Sequence, residues 1–279
     1  MAGESKRVHT YHAEASVLSG NLTLPLEQDI KPQAYAKLPG EGGYLSQRPC
    51  SYRLEGVISI GSAYTQVGGN PDPKPGHGWS TLCTSVVEDL NVMDVVTADR
   101  VVAQISTEHP LEGYVPTVTF LGTRFENLRI AGHPVKLDLD PNILGAKPAS
   151  DAPYTSDPGF ISRVSSQYQR IASQQNVPAD LAERYNRLPS TSENQESIEC
   201  SLVHHADGSY PGRSFGHVID VPNFGRIHLA VLRLEHSDFQ QGTPQQTVFH
   251  LTMMKLHMGC VAAGTADVAD LTTNGRTKP

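Results

Sequence analysis

The sequence predicts a mainly β fold, an antiparallel sandwich or barrel with a short two-helix insert. In residues 79–139, Val101, Ala103 and Ile105 fall on one side of a pleated chain. The composition agrees, because charged residues make up only 18% while 24 glycines and 20 prolines supply turns. Helical spacing of apolar residues is confined to a segment at about 157–188. Strand patterns therefore dominate the chain.

The chain length favours a single β-rich domain over residues 1–279. Sandwiches and barrels often reach about 200–250 residues as one unit. We find no internal repeat, and the helical insert divides two β-rich parts.

In the N-terminal part, residues 11–26 predict a hairpin that turns at Ser19-Gly20-Asn21, with Pro25 at a sheet edge or a bulge. Residues 31–49 indicate a loop, and residues 52–66 indicate another strand. The Gly- and Pro-rich stretch that follows has no GKS or GKT ending, so we expect a surface connection rather than a phosphate loop.

The helical insert has clear start signals. Asp157 is a good N-cap and Pro158 a good first-turn residue. A second short helix is expected from Pro178 to Leu188. We expect both helices to cover one end or one face of the sheet.

Short apolar strands resume after the insert, in the segments SIECSLVHH, GHVIDVPNF, GRIHLAVLRLEHS and TVFHLTMMKLHMG. The last two flank QGTPQ and predict a long hairpin. Both faces of His228–Leu234 are apolar, so this strand should lie centrally in its sheet. Residues 262–279 are expected to be a surface segment.

Charge and hydropathy exclude two classes of partner. The net charge is −7 and the basic residues form no run, which argues against a nucleic-acid partner. No apolar stretch approaches the roughly 20 residues of a membrane span. The first residues lack the apolar core of a secretory signal, so we expect a cytoplasmic protein, or an extracellular one if this is a mature chain to which a first methionine was added.

The four cysteines lie far apart and lack the C-x-x-C spacing of zinc and redox sites. We expect buried thiols or one or two disulfides, and the sequence does not choose among the three connectivities. Cys83 and Cys260 are the first pair to test.

Twelve histidines against seven phenylalanines are the main hint of chemistry. A hairpin turning near Gly242 would bring His228 close to Leu256 and His257. The same hairpin would bring His250 close to Leu234 and Glu235. We therefore consider His228 and His257 as metal ligands, with Glu235 or His250 as acid-base groups further along, in the mouth of a barrel.

The alternative for these histidines is structural, and the sequence favours it. Histidines in covered strands are more often hydrogen-bonded core or edge groups than ligands, and no HExxH spacing is present. His204 and His205 are adjacent and would point to opposite faces of a strand.

Glu108 and His109 place an acid and a base at a strand end, where functional loops often lie.

Two segments resemble a known group of proteins. The run LNVMDVVTADRVV at 90–102 and the segment FENLRIAGHPV at 125–135 are similar to a strand, a VTAD-type turn and a G-x-P-V segment in uncharacterised bacterial β-rich proteins of the choice-of-anchor P kind. The strands GRIHLAVLRLEHS and LTMMKLHMG also resemble C-terminal parts of such proteins. The resemblance covers about half of the chain, and it implies no reaction and no catalytic residues.

For function, strand patterns are abundant and catalytic motifs are scarce. We therefore expect a non-enzymatic binding protein or a self-assembling structural protein, with a small molecule or a second copy as partner. The alternative is a lyase, cyclase or hydrolase, metal-dependent or not, that uses His228, Glu235, His250 and His257. The sequence identifies neither the ligand nor a cofactor.

Overall fold

Two large antiparallel sheets pack face to face in the computed structural model, which describes residues 7–48, 51–54, 56–70, 78–189, 197–237, 240 and 245–278. The mainly β class with a two-helix insert is confirmed. In the described ranges neither sheet closes on itself, so the sandwich rather than the barrel is the arrangement observed.

The strands before the central block are short apart from the second. In chain order they are β1 (Val8–Thr10), β2 (Ala13–Leu24), β3 (Gln28–Gln33), β4 (Ala36–Lys37), β5 (Gly43–Gln47), β6 (Tyr52–Leu54), β7 (Ile58–Ile60) and β8 (Ser62–Gly69).

The central block begins with two long strands and continues with short ones. They are β9 (Trp79–Val92), β10 (Val96–His109), β11 (Thr117–Thr119), β12 (Arg124–Glu126), β13 (Arg129–Ile130), β14 (His133–Pro134) and β15 (Lys136–Leu139). Two short 3-10 helices, Ala149–Asp151 and Tyr154–Ser156, precede α1 (Pro158–Ala172) and α2 (Ala179–Asn186).

The remaining strands include three long neighbours in the centre of the second sheet. They are β16 (Ser197–Ser201), β17 (Val203–Asp207), β18 (Arg213–Phe215), β19 (Val218–Val221), β20 (Gly225–Ser237), β21 (Gln246–Gly259), β22 (Ala263–Thr273) and β23 (Arg276–Lys278).

The ten-stranded sheet has the order β14-β13-β10-β9-β7-β6, with β11 and β12 also on β10, and with β8 joining β9 to β5. The nine-stranded sheet has the order β18-β19-β20-β21-β22-β2-β3, with β16 on β20 and β4 on β2. Two ribbons, β1 with β23 and β15 with β17, complete the described pairings. Strands β2 and β22 contact β9, so the core lies between the sheets.

Alternation predicted the central core correctly. Val101, Ala103 and Ile105 are fully buried in β10. The central position of His228–Leu234 is also confirmed, because β20 pairs with β19 and β21 and this segment is buried on both faces apart from Arg233.

The helices begin where the caps predict. The Asp157 carboxylate accepts a hydrogen bond of 2.7 Å from the Phe160 amide, and Pro158 is the first residue of α1. Helix α1 is held on the edge of the nine-stranded sheet by Tyr168, whose hydroxyl donates to the Glu199 carbonyl at 2.7 Å. The second helix ends two residues earlier than the sequence predicts, because α2 stops at Asn186, and Leu188 is 45% exposed.

Several expectations for the two ends of the chain are wrong. Residues 31–49 contribute to short strands β3, β4 and β5 rather than a loop, and residues 52–66 divide among β6, β7 and β8. Residues 262–279 are not a surface segment, because β22 lies between β21 and β2 with Val268 and Leu271 fully buried. Residues 71–77 and 241–244, which hold most of the expected Gly/Pro loop and of the QGTPQ turn, lie outside the described residues.

The cysteine pair named for a first test, Cys83 and Cys260, does not form a disulfide. Cys83 is a free buried thiol and Cys260 a free exposed one, so the two lie in different surroundings. Cys200 is also free and buried, while Cys50 lies outside the described residues. Burial raises the pKa of the Cys83 and Cys200 thiols, so both stay protonated.

Gly20 explains why the hairpin expected at residues 19–21 is wrong. Strand β2 is continuous through this glycine, which pairs with Ala266 of β22. A Cβ atom on Gly20 would clash with the Thr265 carbonyl oxygen and lie 2.9 Å from the Ala266 Cα. The glycine therefore permits close approach of two backbones and does not form a turn.

We expect Gly20→Ala to lower the free energy of unfolding by about 1–3 kcal/mol, since backbone atoms must shift to admit the methyl group. Gly68→Ala is the matched control in β8, because its Cβ would have only an ordinary contact of 3.6 Å with Tyr44. Urea denaturation of both variants measures the difference. Equal stability of the two variants would contradict the close-approach explanation.

Candidate functional site

The hairpin of β20 and β21 fixes the positions of the candidate histidines. The ladder pairs His228 with Lys255, not with Leu256 or His257, so the expected register is wrong by one residue. His228 and His257 are nevertheless diagonal neighbours, with ring centroids 5.1 Å apart. Both faces of this part of β20 are apolar, so the alternation of side chains does not define the register.

Glu235 and His250 form a second, separate pair. His250 faces Arg233 in the ladder, and its Nε2 lies 3.9 Å from the Glu235 Oε2. Seven strand positions separate His228 from Glu235 in β20, which corresponds to about 23 Å at the usual rise. The four candidate residues therefore occupy two places on the sheet and do not converge in one site.

The surroundings of His228 favour a packed histidine cluster. His228 is buried, and burial, followed by the proximity of His217 and His257, lowers its pKa to about 2. Among the described residues, no group of three or more His, Cys, Asp or Glu side chains is arranged to hold a metal ion. Protein zinc sites take three or four such ligands, and the described neighbours of His228 and His257 do not complete such a set. The metal role of His228 and His257 therefore stays a prediction.

Around His250 the structure forms a cleft of about 470 Å³, which we call the His250 cleft. It lies against the nine-stranded sheet beside the ribbon of β1 and β23. Its lining residues are Thr10, Tyr11, His12, Glu235, Gln246, Val248, His250, Thr272 and Arg276.

The imidazole of His250 links three strands. Its Nδ1 is 2.9 Å from the Thr272 Oγ1 of β22, and its Nε2 approaches Glu235 of β20. Arg233 forms an ion pair of 2.5 Å with the other oxygen of the Glu235 carboxylate. Burial lowers the pKa of His250 in spite of the opposite effect of Glu235, so the ring is neutral at pH 7.

A second polar network supports the opposite side of the cleft. The Glu14 carboxylate lies 3.2 Å from the His12 Nε2 and 2.8 Å from the Lys37 Nζ, and it accepts 2.7 Å from the Tyr35 hydroxyl. Burial alone would raise the pKa of Glu14, but these hydrogen bonds lower it, so the group is ionised. His12 is thereby held in place at the edge of the cleft.

Gln246 orders the remaining wall. Its Oε1 accepts a hydrogen bond from the Arg276 Nε, and its Nε2 donates to the Asn274 carbonyl at 2.8 Å. Arg276 and Thr272 come from residues 262–279, for which the sequence alone predicts a surface segment. The signal for a strand was present in the alternation of Asp270 and Thr272 with Leu271, but small residues obscure it.

Another histidine pair consists of His9 and His109, of which the sequence alone indicates only His109. His109 ends β10 fully buried, and its ring lies 4.6 Å from that of His9 of β1. The His9 ring also stacks on Trp79, with centroids 5.4 Å apart. His109 and Glu108 point to opposite sides of the strand, since Glu108 is exposed. The expected acid and base therefore do not share a site.

Comparison with known families gives a match over most of the chain. The family described as Domain of unknown function (DUF8256) matches residues 9–235. The chain belongs to the DUF8256 family. Among curated proteins, none matches this DUF8256 member.

The DUF8256 match includes His12, His228 and Glu235, and it ends before His250 and His257. It therefore covers only part of the His250 cleft. In the described part of this DUF8256 member, no helix is both long and apolar enough to cross a membrane.

Proposed function

We propose that this protein is a non-enzymatic binding protein that holds a small polar molecule in the His250 cleft. The observation that carries the proposal is the convergence of polar groups on one concavity of about 470 Å³. Small-molecule sites usually measure about 300–1,000 Å³ and contain a few placed polar groups. The concave shape favours a small ligand over self-association, which needs an extended complementary surface.

The lining suggests the chemistry of the ligand. Arg276 is exposed and suits a carboxylate or another anionic group. Glu235 lies on the β20 side and can accept from a hydroxyl or ammonium group, while the neutral His250 can donate or accept. We therefore expect a hydroxy acid or an amino acid rather than an apolar compound.

The test is a thermal-shift screen of amino acids, hydroxy acids and polyols, followed by calorimetry of any compound that raises the Tm. We expect Arg276→Gln to weaken binding at least about tenfold, as the loss of a charge-assisted hydrogen bond predicts. Arg129→Gln is the matched control, because Arg129 is an exposed arginine outside the cleft. Equal affinity of these two variants, or no binder among the three classes, would overturn the proposal.

A hydrolase is the second candidate, and one observation favours it. Thr272, His250 and Glu235 lie in series, with a hydroxyl 2.9 Å from one ring nitrogen and a carboxylate 3.9 Å from the other. A neutral histidine between a hydroxyl and a carboxylate can act as a general base. An esterase assay separates the candidates: turnover of an ester substrate that Thr272→Val abolishes would replace the binding function with the enzymatic one.

A further inference from the structure

A second cavity, of about 190 Å³, lies between helix α1 and the ribbon strand β17. Helix α1 and the residues that follow it contribute Arg170 and Gln174 to its lining. Strand β17 contributes His204 and His205, and the segment between β18 and β19 contributes His217. The cavity is separate from the His250 cleft, with which it shares no lining residue.

The charge of this cavity is opposite to that of the chain. The protein carries a net charge of −7, yet none of the described residues that line the cavity is Asp or Glu. Arg170 donates one of its five N–H groups to the His204 carbonyl at 3.3 Å, which anchors the guanidinium at the cavity. Its remaining donors suit an oxyanion.

His217 provides an independent observation. It is 2% exposed, and its Nε2 lies 3.0 Å from the Tyr185 hydroxyl. Its Nδ1 is buried and has no hydrogen-bond partner. Burial raises the pKa of Tyr185 to about 12 and lowers that of His217 to about 3, so both groups are neutral at pH 7 and the Tyr185 hydroxyl can donate a hydrogen bond to Nε2. With Nε2 as acceptor, the single proton of the neutral ring resides on Nδ1, as a donor without an acceptor.

We infer that this cavity binds a phosphate group, which the Arg170 guanidinium and the His217 ring recognise. A buried donor that lacks an acceptor destabilises the empty site, and a phosphate oxygen at the cavity supplies the acceptor. The small volume suits the anion alone or the phosphate end of a small monoester. The site is independent of the proposed function in the His250 cleft.

The test is a titration of the full chain with inorganic phosphate, and in parallel with glycerol 3-phosphate, followed by nitrogen NMR of the histidine rings. We expect saturable binding, with a change in the His217 Nδ1 resonance. Stronger binding of glycerol 3-phosphate would identify a monoester as the ligand, whereas stronger binding of inorganic phosphate would identify the free ion.

Arg170→Gln should weaken binding at least about tenfold, the effect of removing a charge-assisted hydrogen bond. Arg187→Gln is the control, because Arg187 is an exposed arginine after α2 that does not line the cavity. Since both arginines lie at the surface of helical segments, neither variant should unfold the protein. An unchanged His217 resonance at saturating phosphate, or equal affinity of the two variants, would overturn the assignment.

Discussion

The protein should unfold in acid, with a midpoint above about pH 4. Four buried histidines cause this behaviour. Burial, the largest effect in each case, lowers the pKa of His9 to about 3, of His109 to about 4, of His217 to about 3 and of His228 to about 2. All four are less than 9% exposed, so protonation requires local or global opening of the fold.

The direction of the effect follows from proton linkage. Each of these histidines has a lower pKa in the folded state than in the unfolded chain, where it is near 6.5. Between the two values the unfolded chain binds protons that the folded protein excludes. Their contribution to stability is therefore complete above about pH 6.5 and is lost as the pH falls, by about 1 kcal/mol per pH unit for each histidine. Domains are usually stable by only about 5–15 kcal/mol, so four such groups suffice to unfold the protein.

Urea denaturation at several pH values between 7.5 and 4.5 measures this slope, in the range where histidines titrate. His109→Gln should reduce the slope by about 1 kcal/mol per pH unit, whereas His133→Gln, at an exposed position, should leave it unchanged. Histidine ring NMR of the unaltered chain gives an independent reading if His109→Gln does not fold. A free energy of unfolding that stays constant between pH 6.5 and 5 would falsify the prediction.

Local sequence patterns predicted those elements that side-chain period or capping specifies. The buried face of β10 follows from the alternation of Val101, Ala103 and Ile105, and α1 follows from its cap at Asp157. Strand β22 was missed because its buried positions include Ala266 and Ala269, which resemble turn or tail residues in sequence. These positions are buried because β22 lies between β21 and β2, and only the tertiary structure reveals that placement.

The candidate site was predictable only within one hairpin. His250 and Glu235 could be paired because β20 and β21 are adjacent in sequence, and even there the register was wrong by one residue. His12 and Arg276 come from opposite ends of the chain, which the ribbon of β1 and β23 brings together. No local spacing encodes that pairing, so the His250 cleft could be recognised only from the structure.

Phe249→Ala should lower the free energy of unfolding by about 3–5 kcal/mol, the range for truncating a buried phenylalanine. Phe249 is fully buried in β21, and its ring packs edge to face against Tyr154, with centroids 6.0 Å apart. The Tyr154 hydroxyl in turn donates to the Pro116 carbonyl, just before β11 of the ten-stranded sheet. Truncation therefore opens a cavity at a point where both sheets and the 3-10 segment meet.

Val248→Ala is the matched control for this substitution. Val248 is the preceding residue of β21, but it lies on the other face and is only half-buried in the wall of the His250 cleft. It should cost about 1 kcal/mol or less, as substitutions outside a close-packed core usually do. Urea denaturation compares the two, and similar losses would contradict the inner position of Phe249. Adjacent strand residues alternate between core and cleft, so the two variants also separate the two roles of β21. Phe249→Ala should mainly reduce stability, and Val248→Ala should mainly alter ligand affinity.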